Sequence, residues 1–298
     1  MIFGVYADSE EYLKHVEILD KSLRTFCGKY RDSDICLFIP AENYEQLSQT
    51  PLLSDNSRIR SHPLTIDPCS QEFYYSGKVF AAALAEQIAE QDDQILVWLD
   101  SDTIFLGRPD EFDLAENICF GYRPVMHNLM SSLYHEPPTD FWKRVYELLG
   151  VQDEAFFPML THTDRQEIRP YFNCGVIAVR AQRGILRKWL ECWQNLYTDP
   201  VFIEQAKEEK LVKIFLHQAA LVGAVLNLAG KDEMIRLSDK INYPLFFKEM
   251  FGAEHEYNDL TNVTTLRYDI YFRNPAPDWV SRLSGPENIL NWLSTHLG

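Results

Sequence analysis

Residues 94–105 read QILVWLDSDTIF, and this segment carries most of the information about the fold. Its apolar run, Ile95–Leu99, is unbroken, which is typical of a strand buried on both faces of a sheet. Asp100 and Asp102 follow directly, and side chains two positions apart on an extended chain point to the same side. The segment therefore predicts two neighbouring carboxylates at the C-terminal end of a buried strand.

The sequence before this segment alternates between strand and helix patterns. Apolar runs and apolar residues at helical spacing predict, in order, strand 2–6, helix 10–26, strand 35–39, helix 42–49, strand 58–62 and helix 76–91. Ser76 is expected to cap the last of these helices. The alternation predicts an α/β fold with a mostly parallel central sheet and flanking helices. Ligands of such folds bind beyond the C-terminal ends of the strands, here after Tyr6, Ile39 and Leu99.

The pattern becomes less regular after residue 102. Residues 118–122 and 176–179 predict strands, whereas residues 140–149, 183–197 and 213–228 predict helices. The tail, 235–298, is rich in aromatic residues and proline and gives no clear pattern. Because no repeat or linker interrupts the chain, we expect a single domain over residues 1–298.

The composition excludes several kinds of partner. The chain has 298 residues, and its 28 Lys and Arg against 44 Asp and Glu give a formal charge of −16. This balance argues against binding to nucleic acid or to anionic lipid, since both need a basic face. The longest largely apolar stretch, 219–229, is too short to cross a bilayer, so we expect no transmembrane segment.

The cysteines and the N-terminus indicate a compartment. The six cysteines form no Cys-x-x-Cys pair and no zinc-finger spacing, and several lie in apolar surroundings. The first ten residues, MIFGVYADSE, lack the features of a signal peptide. We therefore expect reduced thiols and a cytoplasmic location.

The paired carboxylates point to a metal site. Two carboxylates at a sheet edge offer the oxygen ligands that Mg²⁺ or Mn²⁺ prefers, and such a metal can hold and neutralise a diphosphate. The Asp-x-Asp pattern alone is weak, since roughly one occurs by chance in a chain of this length. Asp32-Ser33-Asp34 repeats it, but that copy precedes a strand and is interpreted as a solvated turn. A capped turn stays the alternative interpretation of Asp100 and Asp102.

Four segments carry a resemblance to a known family. Residues 95–112, ILVWLDSDTIFLGRPDEF, resemble the Asp-x-Asp segment of nucleotide-sugar glycosyltransferases of the GT-A fold, and they are most similar to glycosyltransferase family 8. The segments 5–23 (VYADSEEYLKHVEILDKSL), 171–180 (YFNCGVIAVR) and 217–221 (HQAAL) resemble other parts of the family in the same order. The resemblance covers roughly residues 1–225.

The resemblance implies a function and a set of site residues. The implied reaction moves a hexose from a nucleoside diphosphate sugar, with UDP expected as the nucleotide, to a hydroxyl group of a glycan or other acceptor. Residues 1–122 would hold the donor and residues 123–298 the acceptor. Mn²⁺ or Mg²⁺ would lie on Asp100 and Asp102. Further donor contacts are implied for Tyr6, Ala7, Asp8, Lys78, Ser101 and Gly175.

Two further residues are implied to orient the donor sugar as catalytic residues. They are Asn173, in the segment that resembles the family's Asn-x-Gly strand, and Gln218, in the segment that resembles its Asp-Gln helix start. His217 stands where the family usually has Asp. Core hydrogen bonding is the alternative role for both amide side chains.

The chain departs from the family near its end. Family 8 enzymes usually carry a His-x-Gly-x-x-Lys-Pro-Trp segment whose His is the third metal ligand, and this chain has none. The nearest candidate is TTLRYDIYFRNP, residues 264–275. Asp269 is expected there as the third metal ligand, with His255 as the other option. Arg267 or Arg273 is expected to meet the diphosphate.

Two other functions stay open on the sequence. A sugar nucleotidyltransferase would need a Gly-rich basic loop after the first strand, where residues 7–10 read Ala-Asp-Ser-Glu. A non-catalytic binding or scaffold protein would keep the fold without turnover, which the missing segment favours. If a transferase retains configuration, the leaving phosphate oxygen can take the acceptor proton. If it inverts, a base must come from residues 123–170, which contain His127, His135 and His162.

Overall fold

A computed structural model describes residues 1–54, 56–245, 257–268 and 279–297. Within these ranges the strands are β1 (Ile2–Tyr6), β2 (Ile35–Pro40), β3 (Ile59–Leu64), β4 (Ile95–Leu99), β5 (Thr103–Phe105), β6 (Phe120–Pro124), β7 (Met159–Leu160), β8 (Glu167–Ile168), β9 (Phe172–Arg180), β10 (Met234–Arg236), β11 (Tyr243–Pro244) and β12 (Thr265–Arg267). The helices are α1 (Glu10–Phe26), α2 (Ala41–Leu47), α3 (Pro51–Ser54), α4 (Ser76–Gln91), α5 (Asp140–Leu149), α6 (Ile185–Tyr197), α7 (Pro200–Glu208), α8 (Lys210–Leu228) and α9 (Glu287–Leu297).

A seven-stranded sheet with the order β10-β6-β9-β4-β1-β2-β3 forms the centre of the fold. Strands β4, β1, β2 and β3 pair in parallel, as the alternating sequence pattern predicts. Strand β9 runs antiparallel to both of its neighbours, β4 and β6. The predicted α/β fold with a mostly parallel sheet is therefore confirmed, with one reversed strand beside β4.

Strand β4 lies in the middle of the sheet and is covered on both faces. Its residues 96–99 are at most 1% exposed. One apolar layer joins the sheet to α4, α5, α6 and α8, and a second joins it to α1. Because both faces of β4 are buried, a side chain that ends the strand can reach solvent only at the sheet edge, which is where Asp100 and Asp102 follow.

A smaller sheet ties the later part of the chain to this edge. Its order is β11-β12-β5, and β5 begins directly after Asp102. Strand β12 runs antiparallel to β5, with Arg267 opposite Thr103. Apolar side chains of β5, β12 and α9, among them Ile104, Leu266 and Leu293, pack in a separate cluster beneath it. This pairing fixes the backbone of Arg267 next to the Asp-x-Asp turn.

Two local expectations differ from the structure. Strand β9 begins at Phe172 rather than at residue 176, so Asn173 and Gly175 lie within it. The expected cap, Ser76, is instead the first residue of α4, and its hydroxyl donates to the carbonyls of Ser70 and Phe73. The capping position belongs to Tyr75, whose backbone is left-handed with φ 65°. This conformation could not be predicted from the sequence, because a tyrosine rarely adopts it.

Helix α8 is longer than the apolar stretch that the sequence singled out. Its 19 residues are long and apolar enough to cross a membrane by length and composition, and no other helix among the described residues is. The helix is also a core element, since 61% of its most apolar window is buried and residues 216–225 are all buried. Length and hydropathy alone therefore do not establish a membrane span.

Glu86 joins α4 to α6 from a fully buried position. Its carboxylate accepts hydrogen bonds from the backbone N–H groups of Leu186 and Arg187, at 3.0 and 2.8 Å, at the start of α6. It also accepts from the Arg187 Nε at 3.2 Å. Unsatisfied N–H groups and the helix dipole both favour a carboxylate at this end of a helix. The contact holds α4, which carries Lys78, in place.

We predict that Glu86→Ala lowers the free energy of unfolding by about 2–4 kcal/mol, because it removes the acceptor of two N–H groups at the start of α6 and leaves a cavity at a fully buried position. Glu90→Ala is the matched control, since Glu90 pairs with the same Arg187 but is 38% exposed. Glu90→Ala should lower the free energy of unfolding by no more than about 1 kcal/mol. Urea denaturation of both variants measures the difference, and equal losses would contradict this account.

Candidate active site

Four charged side chains meet at the C-terminal end of β4. Lys78 forms an ion pair with Asp100, and the Arg267 Nη1 lies 3.1 Å from the Asp100 Oδ2. The same guanidinium contacts Asp102, with its Nε 3.1 and 3.2 Å from the two carboxylate oxygens and its Nη2 3.1 Å from Oδ2. The two carboxylates thus share one cation, and the cluster contains two negative and two positive charges.

The cluster is largely removed from water. The side chains of Asp100 and Asp102 are 10% and 6% exposed, and those of Lys78 and Arg267 are 13% and 22% exposed. Burial alone would raise the pKa of the Asp100 carboxyl, but Lys78 and Arg267 outweigh burial and lower that pKa below its ordinary value. Asp100 is therefore ionised at neutral pH.

The four members of the cluster come from three elements. Lys78 lies in the first turn of α4, Asp100 and Asp102 follow β4, and Arg267 ends β12. The Asp100 N–H donates to the Gly175 carbonyl at 3.0 Å, because antiparallel β9 continues to pair beyond the end of β4. The Tyr268 N–H donates to the Asp102 carbonyl at 3.3 Å, which continues the pairing of β12 with the Asp-x-Asp turn.

Gly175 makes room for the ion pair. A Cβ atom at this position would lie 2.8 Å from the Asp100 Oδ2 and 3.1 Å from the Arg267 Nη1. The sequence indicated that Gly175 permits the close approach of a ligand or of another chain segment. In the structure, the side chains of Asp100 and Arg267 are the groups that approach Gly175.

The larger of two cavities at this edge, with a volume of about 540 Å³, opens beside the cluster. Tyr6 and Asp8 line it, together with Ser101, both aspartates, Lys78 and Arg267. The Asn43 side chain donates to the Asp8 carbonyl at 2.9 Å and fixes this wall. Ala7 is different, because it is fully buried, its N–H donates to the Phe38 carbonyl, and it does not line the cavity.

A second cavity of about 200 Å³ lies on the other side of the cluster. Asn173, Gly175 and Gln218 line it, and so does His217. The two cavities share four wall residues, which are Tyr75, Lys78, Asp100 and Arg267. The charged cluster is therefore the boundary between the two spaces.

The amide of Asn173 is held in one orientation. Its Oδ1 accepts from the Gly175 N–H at 2.7 Å and from the Asn242 side chain at 3.1 Å. These contacts use the Asn173 amide oxygen as an acceptor, so the group that Asn173 can offer to a ligand is the N–H of its amide nitrogen. Gln218 is 8% exposed and interacts with the Tyr171 hydroxyl, which agrees with core hydrogen bonding, whereas its contact with a donor sugar stays a prediction.

His217 is a buried, neutral histidine in the wall of the second cavity. Its Nδ1 lies 2.9 Å from the Ile214 carbonyl, which can only accept, so Nδ1 carries the proton and Nε2 is the acceptor. Burial, with the nearby Lys78, lowers its pKa to about 3. Its ring packs between Tyr75, Trp189 and Trp193. The sequence flagged only that His217 replaces the Asp of the resembling family.

Tyr75 is a site residue that the sequence did not single out. The residue is 45% exposed and lines both cavities, and the Lys78 Nζ lies 5.1 Å from the centroid of its ring. A left-handed backbone at a bulky residue costs about 1–3 kcal/mol, and such strain tends to persist where function needs it. At Tyr75, the strained backbone places the aromatic ring at the boundary between the two cavities.

The candidate bases from residues 123–170 separate in space. His127 lines the second cavity, and its ring contacts the Thr163 hydroxyl at 2.6 Å. His162 is buried away from both cavities against Arg123, and burial lowers its pKa to about 4. The His135 side chain is 76% exposed and contacts Glu167. Three residues named for the late segment, His255, Asp269 and Arg273, lie outside the described residues.

Comparison of the fold with solved structures identifies its class. Mouse xyloside xylosyltransferase 1 in its apo form aligns with a TM-score of 0.50 at 13% identity, covering 93% of this chain and 99% of that chain. A galactosyltransferase, LgtC, solved with donor and acceptor sugar analogues, aligns with a TM-score of 0.48 at 15% identity, covering 98% of this chain and 100% of that chain. The fold is that of the GT-A glycosyltransferases, as the sequence predicted.

A family model then gives the particular group. The model of the Rhodobacterales glycosyltransferase domain matches residues 5–228, and the chain belongs to this family. The match includes the end of β1, the Asp-x-Asp turn, β9 and α8, and it ends before β12. A comparison with curated protein sequences gives no match. The predicted activity of glycosyl transfer is thereby supported, whereas membership of family 8 stays a prediction.

We predict that Gly175→Ala disrupts the charged cluster, because the new methyl group would push on the Asp100 and Arg267 side chains. The expected result is a lower melting temperature, with a loss of about 1–3 kcal/mol, since overpacking has this cost. Gly107→Ala is the matched control, because a Cβ there would meet its nearest atom at 3.7 Å. Thermal unfolding of both variants tests this, and equal stability would argue against a tight fit at Gly175.

We predict that the protein loses stability as the pH falls below about 6.5. His217 has a lowered pKa in the folded state, so its contribution to stability is complete above its ordinary pKa and is lost on the way down to pH 3. One such group contributes up to about 1.4 kcal/mol per pH unit. Urea denaturation between pH 7 and pH 4 should show a smaller slope for His217→Gln than for wild type, with His135→Gln as control. An unchanged slope would mean that the pKa of His217 is the same in the folded and the unfolded protein, which would contradict a buried neutral ring.

Proposed function

We propose that this protein transfers a hexose from a UDP-sugar to a hydroxyl group of a glycan or other acceptor, as a metal-dependent enzyme similar to family 8. The observation that carries the proposal is the junction of two cavities at one charged cluster. The larger cavity is within the range of about 300–1,000 Å³ that is usual for ligand sites. The smaller one presents amide side chains suited to sugar hydroxyls.

The carboxylates fit a hard divalent cation. Asp100 and Asp102 direct their oxygens to one shared cation, the Arg267 guanidinium, and Mn²⁺ or Mg²⁺ takes oxygen ligands of this kind. Among the residues that the structure describes, no group of three His, Cys, Asp or Glu side chains could hold a metal ion. Asp269 therefore stays our proposed third ligand. When bound, the metal would neutralise charge on the leaving diphosphate.

The charge of the larger cavity also favours a metal with an anionic ligand. Its ionisable carboxylates and cations are Asp8, Glu42, Asp100, Asp102, Lys78 and Arg267, so four acids face two bases. A diphosphate placed against this excess of negative charge would be repelled. A divalent cation would restore the balance, in agreement with the expected Mn²⁺ or Mg²⁺.

The chain's own residues have separate tasks in this proposal. Tyr6, Asp8 and Ser101 hold the nucleoside and its phosphates, and Lys78 meets the developing negative charge. Asn173 orients the donor sugar through its amide nitrogen, and Gln218 does so beside it. His217, fixed as a neutral acceptor, takes a hydrogen bond from a sugar hydroxyl.

A non-catalytic GT-A-like binding protein is the second candidate, because one observation favours it. Asp100 and Asp102 are already neutralised by two side chains of the protein, as in a site that no longer uses a metal. The two candidates differ in turnover, since only a transferase releases the nucleotide from a donor sugar. For location we propose the cytoplasm, since all six cysteines are free thiols and five of them are buried.

We predict that UDP with Mn²⁺ raises the melting temperature, and that Asp102→Asn abolishes this effect. A ligand at 100 times its dissociation constant stabilises by about 2.7 kcal/mol, which thermal unfolding resolves easily. Asp32→Asn is the matched control, because Asp32 belongs to the other Asp-Ser-Asp sequence and is exposed. A comparison of UDP with GDP identifies the base. No stabilisation by any nucleoside diphosphate would contradict the proposed donor site.

A further inference from the structure

Arg267 occupies the point where a cation can meet both carboxylates. Its guanidinium has one nitrogen 3.1 Å from Asp100 and two nitrogens 3.1–3.2 Å from Asp102. These are the oxygens through which the proposed metal would be held. A guanidinium and a divalent cation would therefore compete for the same oxygen atoms.

The charges make simultaneous occupancy unfavourable. Lys78 and Arg267 already balance the two carboxylates. A divalent cation on the same carboxylate oxygens would be repelled at short range by Lys78 and Arg267, since the other two acids of the larger cavity, Asp8 and Glu42, do not belong to the cluster. An anionic diphosphate that enters with the metal removes the conflict, because it offers the guanidinium a bidentate partner of its own.

The structure limits the movement to the side chain. Hydrogen bonds on both sides of Arg267 hold its backbone, since β12 pairs with β5 and the Tyr268 N–H donates to the Asp102 carbonyl. The Arg267 side chain is 22% exposed and lines both cavities. It can therefore turn from the carboxylates towards a ligand in the larger cavity while β12 stays paired.

We propose that Arg267 is an exchangeable counter-ion, which holds Asp100 and Asp102 in the ligand-free protein and transfers to the diphosphate when metal and nucleotide bind together. The inference rests on the proposed function, because it takes a metal and a nucleoside diphosphate as the ligands. Its consequence is coupling: the nucleotide raises the affinity for the metal, and the metal raises the affinity for the nucleotide by the same factor.

Binding of Mn²⁺ to the complete chain tests this coupling directly. Titration followed by electron paramagnetic resonance gives the dissociation constant for Mn²⁺ alone and with saturating UDP. For wild type we expect UDP to tighten Mn²⁺ binding within the usual coupling range of about 5- to 150-fold. For Arg267→Gln we expect Mn²⁺ alone to bind at least about fivefold more tightly than in wild type, and the effect of UDP on it to shrink.

Thermal unfolding supplies a second readout that does not depend on the nucleotide. Arg267→Gln leaves two carboxylates facing each other, so it should melt below wild type, and Mn²⁺ alone should restore the loss. Wild type should gain little from Mn²⁺ alone, since its site is already filled by the guanidinium. Arg267→Lys keeps the charge and should behave closer to wild type. Arg108→Gln, at an exposed arginine paired with Asp110, is the control.

The outcomes separate this inference from the proposed function. Equal Mn²⁺ affinity and equal coupling in wild type and Arg267→Gln would overturn the exchange and leave a fixed structural arginine. Tight UDP binding without metal that is lost in Arg267→Gln would also overturn it, because the arginine would then be the permanent cation. If wild type binds neither Mn²⁺ nor UDP when both are present, the proposed function fails and the inference fails with it.

Discussion

Two carboxylates lie at the end of a strand that is buried on both faces, and neither can remain charged there without a partner. Taking an ionised carboxylate out of water costs several kcal/mol unless opposite charge and hydrogen bonds compensate for it. The compensation for Asp100 and Asp102 comes from Lys78 on α4 and Arg267 on β12. The positions of α4 and β12 therefore determine whether the two carboxylates of the Asp-x-Asp turn can stay charged.

The same constraint explains how the later chain is arranged. Strand β9 runs against β4, so its N-terminal residues, Asn173 and Gly175, come to the edge where β4 ends. Strand β12 runs against β5 and brings Arg267 to that edge from the other side. Helix α8 adds His217 and Gln218 from within the core. An edge built from elements far apart in sequence thus becomes one boundary between two cavities.

The first half of the sheet and the position of the two carboxylates could be predicted from the sequence, because β4 and the strands before it have clear local patterns. The apolar run 95–99 and the strand–helix alternation predict a buried parallel strand, and Asp100 and Asp102 lie where that strand ends. What the sequence could not supply were pairings between distant segments. The reversed strand β9 has no local signature that separates it from a parallel one, and Tyr75 adopts a conformation that local preference opposes.

The contacts of Arg267 are a second feature that the sequence alone did not predict. From the sequence it was a candidate partner for the diphosphate, one of two arginines in a weakly matching segment. The structure adds that it contacts both carboxylates, a fact that depends on the register of β12 against β5. The third metal ligand predicted at Asp269 lies outside the described residues, so that part of the site stays a prediction.

The most direct test of the account is whether the complete chain cleaves a nucleotide sugar. UDP-hexoses incubated with the protein and Mn²⁺, without an added acceptor, can be followed by chromatography for released UDP. A transferase with this site should release UDP slowly from at least one of them and lose that activity when the metal is chelated. Binding of UDP with no release from any donor would contradict the central claim and favour a non-catalytic protein.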